Sequence, residues 1–464
     1  MAELNLSYYT QKDQYSDGDI EDIMLDMAEQ GISYEILPPE QVDFAVIYHF
    51  SRIRQNILNW YPFKKDSSVL EIGGGCGAIT GLLCQKCTEV VSVELSKRRA
   101  SINYARHKQY DNLHIIVGNL NDMVFEKKFD YIVLNGVLEY AASFTEGEKP
   151  YVDFLRKMTS FLSGDGKILI AIENRLGLKY FAGAPEDHTD LYYLGVNNYE
   201  GIKNVRTFSK KELTELLEES GLVARRFYYP YPDYKFPREI FTDETLQSNG
   251  YGRPYEFYSE NRFCLFDESK VARTLVSEGI ASEFANSFLV EAGWNITEDK
   301  TQILYAKMNS ERHEKFQIAT IIQKTENTVK VIKKALTHEA ISFINQMGQC
   351  VGQKLPKPYS YLEGQARNGQ LEYPYLAGKT LFSTIAYYAQ NGEKQALISL
   401  LKEFYRSYFA DARITDDFYT EEFQRTFGKT RGKDAYACVC PANVDLISDN
   451  IFYGKEKSYI IDYE

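Results

Sequence analysis

Val69-Leu70-Glu71-Ile72-Gly73-Gly74-Gly75-Cys76-Gly77-Ala78-Ile79-Thr80 reads as a buried strand, a turn packed with glycines and the opening turn of a helix. Such a turn lets backbone N–H groups and a helix N-terminus approach a ligand that side chains would otherwise block. The stretch predicts a site for a nucleotide-like cofactor.

Downstream, apolar runs alternate with helical patterns. Strands are expected at 68–72, 90–94, 114–117, 131–134 and 167–172, with helices such as 96–107 and 151–162 between them. That alternation implies crossover units and a parallel sheet covered on both faces. Ligands in such sheets bind beyond the carboxyl ends of the strands, so the strand ends are the site candidates. An aromatic strand, 222–229, and an apolar one, 287–290, are expected to complete the sheet. The segment Asn174–His188, rich in Gly and polar residues, leaves a strand end and reads as a lid or substrate loop.

Before the sheet, Ile20, Ile23, Met24 and Met27 share one face of a helix that Gly31 stops. A second helix, about Gln41 to Trp60, carries His49, Arg52 and Arg54, read as a solvated face packed on the next domain, with a substrate role as the alternative. From Lys300 three strand-like runs follow one another as an antiparallel meander, then helices and a short hairpin with a Gly454-Lys455 turn. The expected domains are a helical extension over 1–39, an α/β domain over 40–295 and a further domain over 296–464.

With 65 acidic against 53 basic residues and a net charge of −12, general affinity for nucleic acid is disfavoured. The first residues lack a basic and then apolar leader, and no run approaches the roughly 20 apolar residues of a membrane span. Seven cysteines fit reduced thiols and a cytoplasmic setting. Cys84 with Cys87, and Cys438 with Cys440, lack a second ligand pair at zinc-site spacing, so packed thiols are expected. Most of the 36 tyrosines, including those of Tyr228-Tyr229-Pro230-Tyr231, read as amphipathic packing.

The glycines allow two cofactors. Gly73-x-Gly75-x-x-Ala78, with Glu94 about 20 residues on, matches a dinucleotide fingerprint and would make a nicotinamide oxidoreductase. S-adenosylmethionine (SAM) sites share the glycine turn and the ribose-binding acid, but add an acid two positions before the first glycine. Glu71 stands there. A sulfonium and an ammonium favour that carboxylate, whereas a pyrophosphate is repelled by it.

Residues 66–140 accordingly resemble a class I SAM-dependent methyltransferase, which implies a Rossmann-like, seven-stranded, mostly parallel sheet. The resemblance implies SAM contacts at Glu71, Gly73, Gly75 and Gly77, at Glu94 for the ribose and at Asn119 and Leu120 for adenine. Asn135, at the end of the fourth strand, would lie beside the methionine portion. Asn119 stands where the family more often has Asp. The first motif is also similar to rRNA adenine dimethylases, but Asn135-Gly136-Val137-Leu138-Glu139-Tyr140 replaces their base-flipping motif, against a nucleic-acid acceptor.

A hydroxyl acceptor needs a base near neutral pH. Glu139, Glu173, Asp187 and His188 stand at or after strand ends, and His188 has the best-suited ordinary pKa. Its alternative is a loop histidine held for structure. No metal is expected in this domain.

In the last domain, Asp445-Leu446-Ile447-Ser448-Asp449-Asn450, then a hairpin and Asp462, resembles the catalytic end of aminoglycoside-phosphotransferase-like kinases. The resemblance implies an α+β fold, Lys333 on the phosphates, Glu339 as its helix partner, Asp445 as base, Asn450 and Asp462 on Mg²⁺, and ATP as cofactor. The glycine-rich loop is absent, Asn443 and Val444 replace the usual residues before the base, and the chain stops at Glu464 with the C-lobe incomplete. The pairing of the two domains resembles enzymes of bacterial surface polysaccharide assembly. It implies a sugar or glycan-linked acceptor, glycosyltransferase partners, and a rear domain that either transfers phosphate or only binds.

Overall fold

The computed structural model describes residues 1–11, 16–36, 42–249, 262–295, 300–350, 355–410, 413–415, 421, 424–425, 428, 436–438, 443, 445–454 and 457–462. Gln41, Cys440, Val444, Lys455 and Glu464 lie outside them, as do residues 39, 40 and 296, where the sequence reading sets its domain boundaries. The chain forms two compact units, residues 1–313 with 323–326, and residues 314–322 with 327–464.

The first unit is a mixed α/β sheet of strands β1 (Glu3–Tyr8), β2 (Ser68–Ile72), β3 (Glu89–Glu94), β4 (Leu113–Gly118), β5 (Phe129–Asn135), β6 (Leu162–Glu173), β7 (Val223–Tyr231), β8 (Glu239–Thr242), β9 (Ser287–Gly293) and β10 (Thr301–Met308). Their order is β1-β4-β3-β2-β5-β6-β9-β7-β8-β10. Pairing is parallel from β1 across to β6. It is antiparallel from β6 through β9, β7 and β8 to β10.

The seven expected strands form the middle of this sheet, which is wider than seven. β1 belongs to the segment read as a helical extension. Leu4, Leu6 and Tyr8 alternate with polar residues, a strand period that the helical reading passed over; most of its residues are exposed, and it pairs in parallel with β4. Thr301–Met308, read as the first run of the rear meander, pairs with β8 instead.

The strands are apolar on both faces because both are covered. Leu70, Ile72, Val91, Val93, Ile132, Leu134, Ile168, Ile170 and Val290 are buried in one core, each worth roughly 1.5–3 kcal/mol of apolar burial. Helix Lys97–His107 starts where the Ser96 hydroxyl accepts from Arg99 N, and helix Lys210–Glu219 starts in a Ser209/Glu212 capping box.

Helix Ile20–Gln30 ends at Gly31 in the left-handed region, φ +67°. Met24 and Met27 face inward, but Ile23 is 55% exposed and Glu21 is buried in its place. Arg99 Nε donates to Glu21 at 2.8 Å, which makes that burial tolerable. The expected long helix to Trp60 breaks at Ser51, giving Phe44–Phe50 and a 3₁₀ stretch, Arg52–Ile57.

In the second unit, Ile318–Thr325, Val329–Ala335, Gln370–Pro374 and Gln365–Arg367 lie side by side in that order. Helices Ile341–Cys350, Leu381–Gln390 and Lys394–Tyr408 accompany them, around a core that includes Ile344, Leu371, Tyr373, Leu400 and Ile460. Among the described residues no helix is long and apolar enough to cross a membrane.

Candidate active site

A cleft of about 480 Å³ opens in the first unit at the carboxyl ends of β2 to β5. Its floor is the glycine turn. Gly73 N and Gly74 N both donate to Val93 O, at 2.8 and 3.2 Å, stitching the turn to β3. A methyl group on Gly74 would stand 2.1 Å from Ser92 Oγ, and Gly75 has φ +52°. The turn must therefore be glycine at both places, the first for space and the second for conformation.

Two acids frame it. Glu94, at the end of β3, accepts from Gly75 N at 2.7 Å and from Ser96 N at 2.9 Å. Glu71 Oε2 accepts from Thr80 Oγ1 at 2.6 Å and Ser92 Oγ at 2.7 Å. Burial pushes both carboxyls up from their ordinary range, while these donors pull them back. Asn119, Leu120 and Asn135 line the same cleft. Asn119 Oδ1 accepts from Asn121 N at 2.9 Å, and Asn135 Oδ1 is buried with no hydrogen-bond partner. Gly77 does not line the cleft. It lies behind the turn, its carbonyl 2.9 Å from His107 Nε2. The other SAM-side residues expected from sequence are thus gathered in one wall.

The opposite wall comes from segments far apart in the chain: Phe44 and Tyr48, Glu139 and Tyr140, Asp187 and His188, and Pro232 to Phe236. His49 and Arg54, read from sequence as solvated, are 6% and 3% exposed and line the cleft. Arg54 stacks over the Tyr48 ring at 4.2 Å, and His49 Nε2 lies 2.9 Å from Asp17 Oδ2. Arg54 Nη1 also donates to Lys235 O at 3.0 Å; such contacts with distant segments accompany the burial of both groups, and periodicity does not carry them.

Below this wall is a buried ionic cluster. Lys179, fully buried, holds Asp187 Oδ2 at 2.9 Å and Asp233 Oδ2 at 2.8 Å. Lys235 holds Asp187 and, at 2.5 Å, Glu173 Oε1. The two lysines hold Asp187 well below the usual carboxylate range against the effect of burial. Sequence reading named Asp187 and missed Lys235, Asp233 and Glu186. The Pro232-Asp233-Tyr234-Lys235 turn after an aromatic strand was the available signal, since strand-end turns carry sites.

His188 sits among three acids. Nδ1 is 2.9 Å from Glu186 Oε1, and Nε2 is 3.6 Å from Glu139 Oε1 and 4.0 Å from Glu173 Oε2. Burial alone would lower its pKa, but Glu173, Glu139 and Glu186 overcome burial and hold the ring protonated well above its ordinary value. An imidazolium has no lone pair for a proton, so a base role for His188 needs the ring neutral. Glu139 is pushed up by burial and by Glu173, against His188, and its Oε2 is buried without a hydrogen-bond partner.

Cys84 and Cys87 are buried, and burial pushes both thiols up. In the second unit, Lys333 Nζ lies 2.5 Å from Asp462 Oδ1. Asn450 Nδ2 donates to Asp445 O at 3.0 Å and Oδ2 at 3.2 Å. Glu339 is exposed in the turn before helix Ile341–Cys350, not on the helix.

The family model described as "Methyltransferase domain" matches residues 46–225. An uncharacterized methyltransferase of Staphylococcus carnosus is 30% identical over 161 residues, 32% of this chain and 73% of that protein. Ribosomal RNA small subunit methyltransferase A of Ureaplasma urealyticum is 45% identical over 69 residues, 14% of this chain and 23% of that protein. Its counterpart in Syntrophus aciditrophicus is 26% identical over 104 residues, with 22% and 35% covered. The chain thus spans about a third or less of these two ribosomal RNA enzymes. A mitomycin 7-O-methyltransferase structure overlaps 39% of this chain and 50% of its own, at 18% identity and a TM-score of 0.30. The match to the Staphylococcus protein, on a sheet ordered β4-β3-β2-β5-β6-β9-β7 at its centre, makes this chain a member of the class I SAM-dependent methyltransferase family.

Proposed function

We propose that this protein transfers the methyl group of SAM to a hydroxyl of a sugar or glycan-linked acceptor. One observation carries the reading: a single cleft joins the glycine turn to a wall of aromatic rings and carboxylates. In this reading Glu94 takes the ribose hydroxyls, Asn119 and Leu120 border adenine, and Asn135 offers its unpartnered oxygen to the methionine portion. Gly73 and Gly75 keep the turn low enough for the cofactor to lie on it, with Gly77 behind them. Glu71 and Glu94 favour the cationic sulfonium.

The acceptor oxygen attacks the methyl carbon, the carbon–sulfur bond breaks, and S-adenosylhomocysteine leaves. Alignment of the three atoms supplies much of the rate, and the hydroxyl proton goes to Glu139. Burial and Glu173 raise that carboxyl's affinity for a proton, which favours its taking one. Asp187 and His188 act as positioning residues. Tyr48, Tyr140 and Phe236 offer faces for sugar rings, and the acidic wall disfavours a phosphate-rich acceptor.

The test is transfer of label from SAM into fractionated glycans. Glu139→Gln should lower kcat by about 100-fold or more with SAM affinity intact. Label that goes instead to amine-bearing or nucleic-acid fractions overturns the acceptor class. The setting in bacterial surface polysaccharide assembly, with glycosyltransferase partners, rests on the sequence resemblance and is tested by co-purification with such enzymes.

A second reading concerns the second unit. Lys333 with Asp462, and Asn450 with Asp445, are the juxtapositions that Mg-ATP would need. ATP binding that depends on Mg²⁺ and is lost in Asp462→Ala supports it. Equal weak signals in both proteins reject it in favour of a binding module.

A further inference from the structure

Glu139, Glu173 and His188, on separate segments, bring three potential ligand atoms together with side chains 1%, 0% and 6% exposed. Nε2 of His188 is 3.6 Å from one carboxylate oxygen and 4.0 Å from the other. Both separations are too long for hydrogen bonds. Both suit ligands sharing an ion: with metal–ligand distances of about 2.1 Å, a right-angled pair stands about 3 Å apart and a linear pair about 4.2 Å.

Three further observations point the same way. Glu173 Oε2, the oxygen facing Nε2, is buried and has no hydrogen-bond partner among the described residues; the same holds for Glu139 Oε2. Leaving carboxylate oxygens dry and unmatched is costly. The imidazole is already oriented, since Nδ1 lies 2.9 Å from Glu186 Oε1. Such an outer carboxylate fixes the ring and leaves Nε2 for a metal. Finally, with a neutral ring, the ion pairs among the described residues set Glu139, Glu173, Glu186, Asp187 and Asp233 against Lys179 and Lys235. A dication offsets most of that excess negative charge.

We infer that Glu139 Oε1, Glu173 Oε2 and His188 Nε2 bind one divalent cation of the Mn²⁺ class in the acceptor wall of the cleft. One imidazole nitrogen and two carboxylate oxygens suit such an ion, and the incomplete ligand set leaves positions for oxygens of an acceptor. Where the acceptor is a hydroxyl, the ion draws in its oxygen and acidifies it, and Glu139 Oε2 takes the proton. That last step rests on the function proposed above; the ion site does not.

Full-length protein stripped with a chelator is titrated with Mn²⁺ alone, following loss of the free-ion paramagnetic resonance signal. One ion per chain is expected. Glu173→Gln should weaken uptake at least 10-fold and Glu186→Gln by about 10–100-fold, as outer partners of ligands do. If Glu173→Gln does not fold, the melting temperature of the unaltered chain decides, and it should rise on adding Mn²⁺. A chain that binds SAM and melts cooperatively, yet takes up no Mn²⁺ or takes it up equally in Glu173→Gln, overturns the site. Hydroxyl methylation undiminished by chelation overturns the ion's role and leaves the proposed function standing. Stoichiometric Mn²⁺ uptake without transfer to any hydroxyl supports the site and overturns the acceptor reading.

Discussion

The cofactor wall of the cleft is assembled from the ends of neighbouring strands β2 to β5, while the acceptor wall draws on helix Phe44–Phe50, the segment after β6 and the turn after β7. The first is held by backbone hydrogen bonds and by acids that receive neutral donors. The second is held by buried ion pairs. A wall of the first kind tolerates the loss of one partner, because each polar group keeps others. A wall of the second kind does not, since removing one ion leaves its partner charged and dry.

The largest effect should come from the acceptor wall. Lys179→Met takes the ammonium from Asp187 and Asp233, at 2.9 and 2.8 Å, and should cost about 3–5 kcal/mol of stability, read as a lower denaturation midpoint in urea. A cost under about 1 kcal/mol would break the contrast between the walls.

Acid should loosen the cofactor wall next. Burial and then Arg106 push His107, whose Nε2 supports the Gly77 carbonyl, down to about 4. A depressed folded-state pKa gives stability that is present above the unfolded value near 6.5 and is lost as pH falls from there through about 4. The loss amounts to roughly 3 kcal/mol. Melting curves between pH 7 and 4 should show it, and His107→Gln, which keeps a donor but cannot titrate, should flatten the dependence. An unchanged slope in that variant would mean the loss arises elsewhere.

Glu94→Gln tests the cofactor wall without a stranded charge. SAM affinity should fall by about 10- to 100-fold, as expected for hydrogen bonds to a charged acceptor, while the melting temperature moves little. A large fall in melting temperature with unaltered SAM binding would reverse the assignment. Tyr48→Leu should have the smallest effect. It removes the ring beneath Arg54, worth about 0.5–1 kcal/mol, and should raise the KM for acceptor with SAM affinity unchanged.

The same contrast explains what the sequence made legible. The strand–turn–helix around Gly73 and the acids Glu71 and Glu94 are near neighbours whose spacing is itself the signal, so the fold there and the gathering of these residues in one cleft could be read in advance. For Lys235 and Asp233 the strand-end turn was a signal of place alone; their pairing could not be read, because their partners lie on distant segments and no periodicity links them. Glu21 shows the same limit in a helix: pattern put Ile23 inside, and an ion pair with Arg99 put Glu21 there instead. β1 differs, since Leu4, Leu6 and Tyr8 alternate with polar residues over six positions, so its strand was legible although no helical period runs through it.

The paired bonds from Gly75 and Ser96 to Glu94 have a kinetic consequence. A carboxylate has about four lone-pair positions, and these two donors, with the Leu95 backbone that also bears on it, leave room for a further donor. An arriving hydroxyl would add to the carboxylate's existing contacts without evicting any. Capture of the nucleoside then requires no rebuilding of its cradle, and its on-rate should be set by diffusion into the cleft, not by a slow rearrangement.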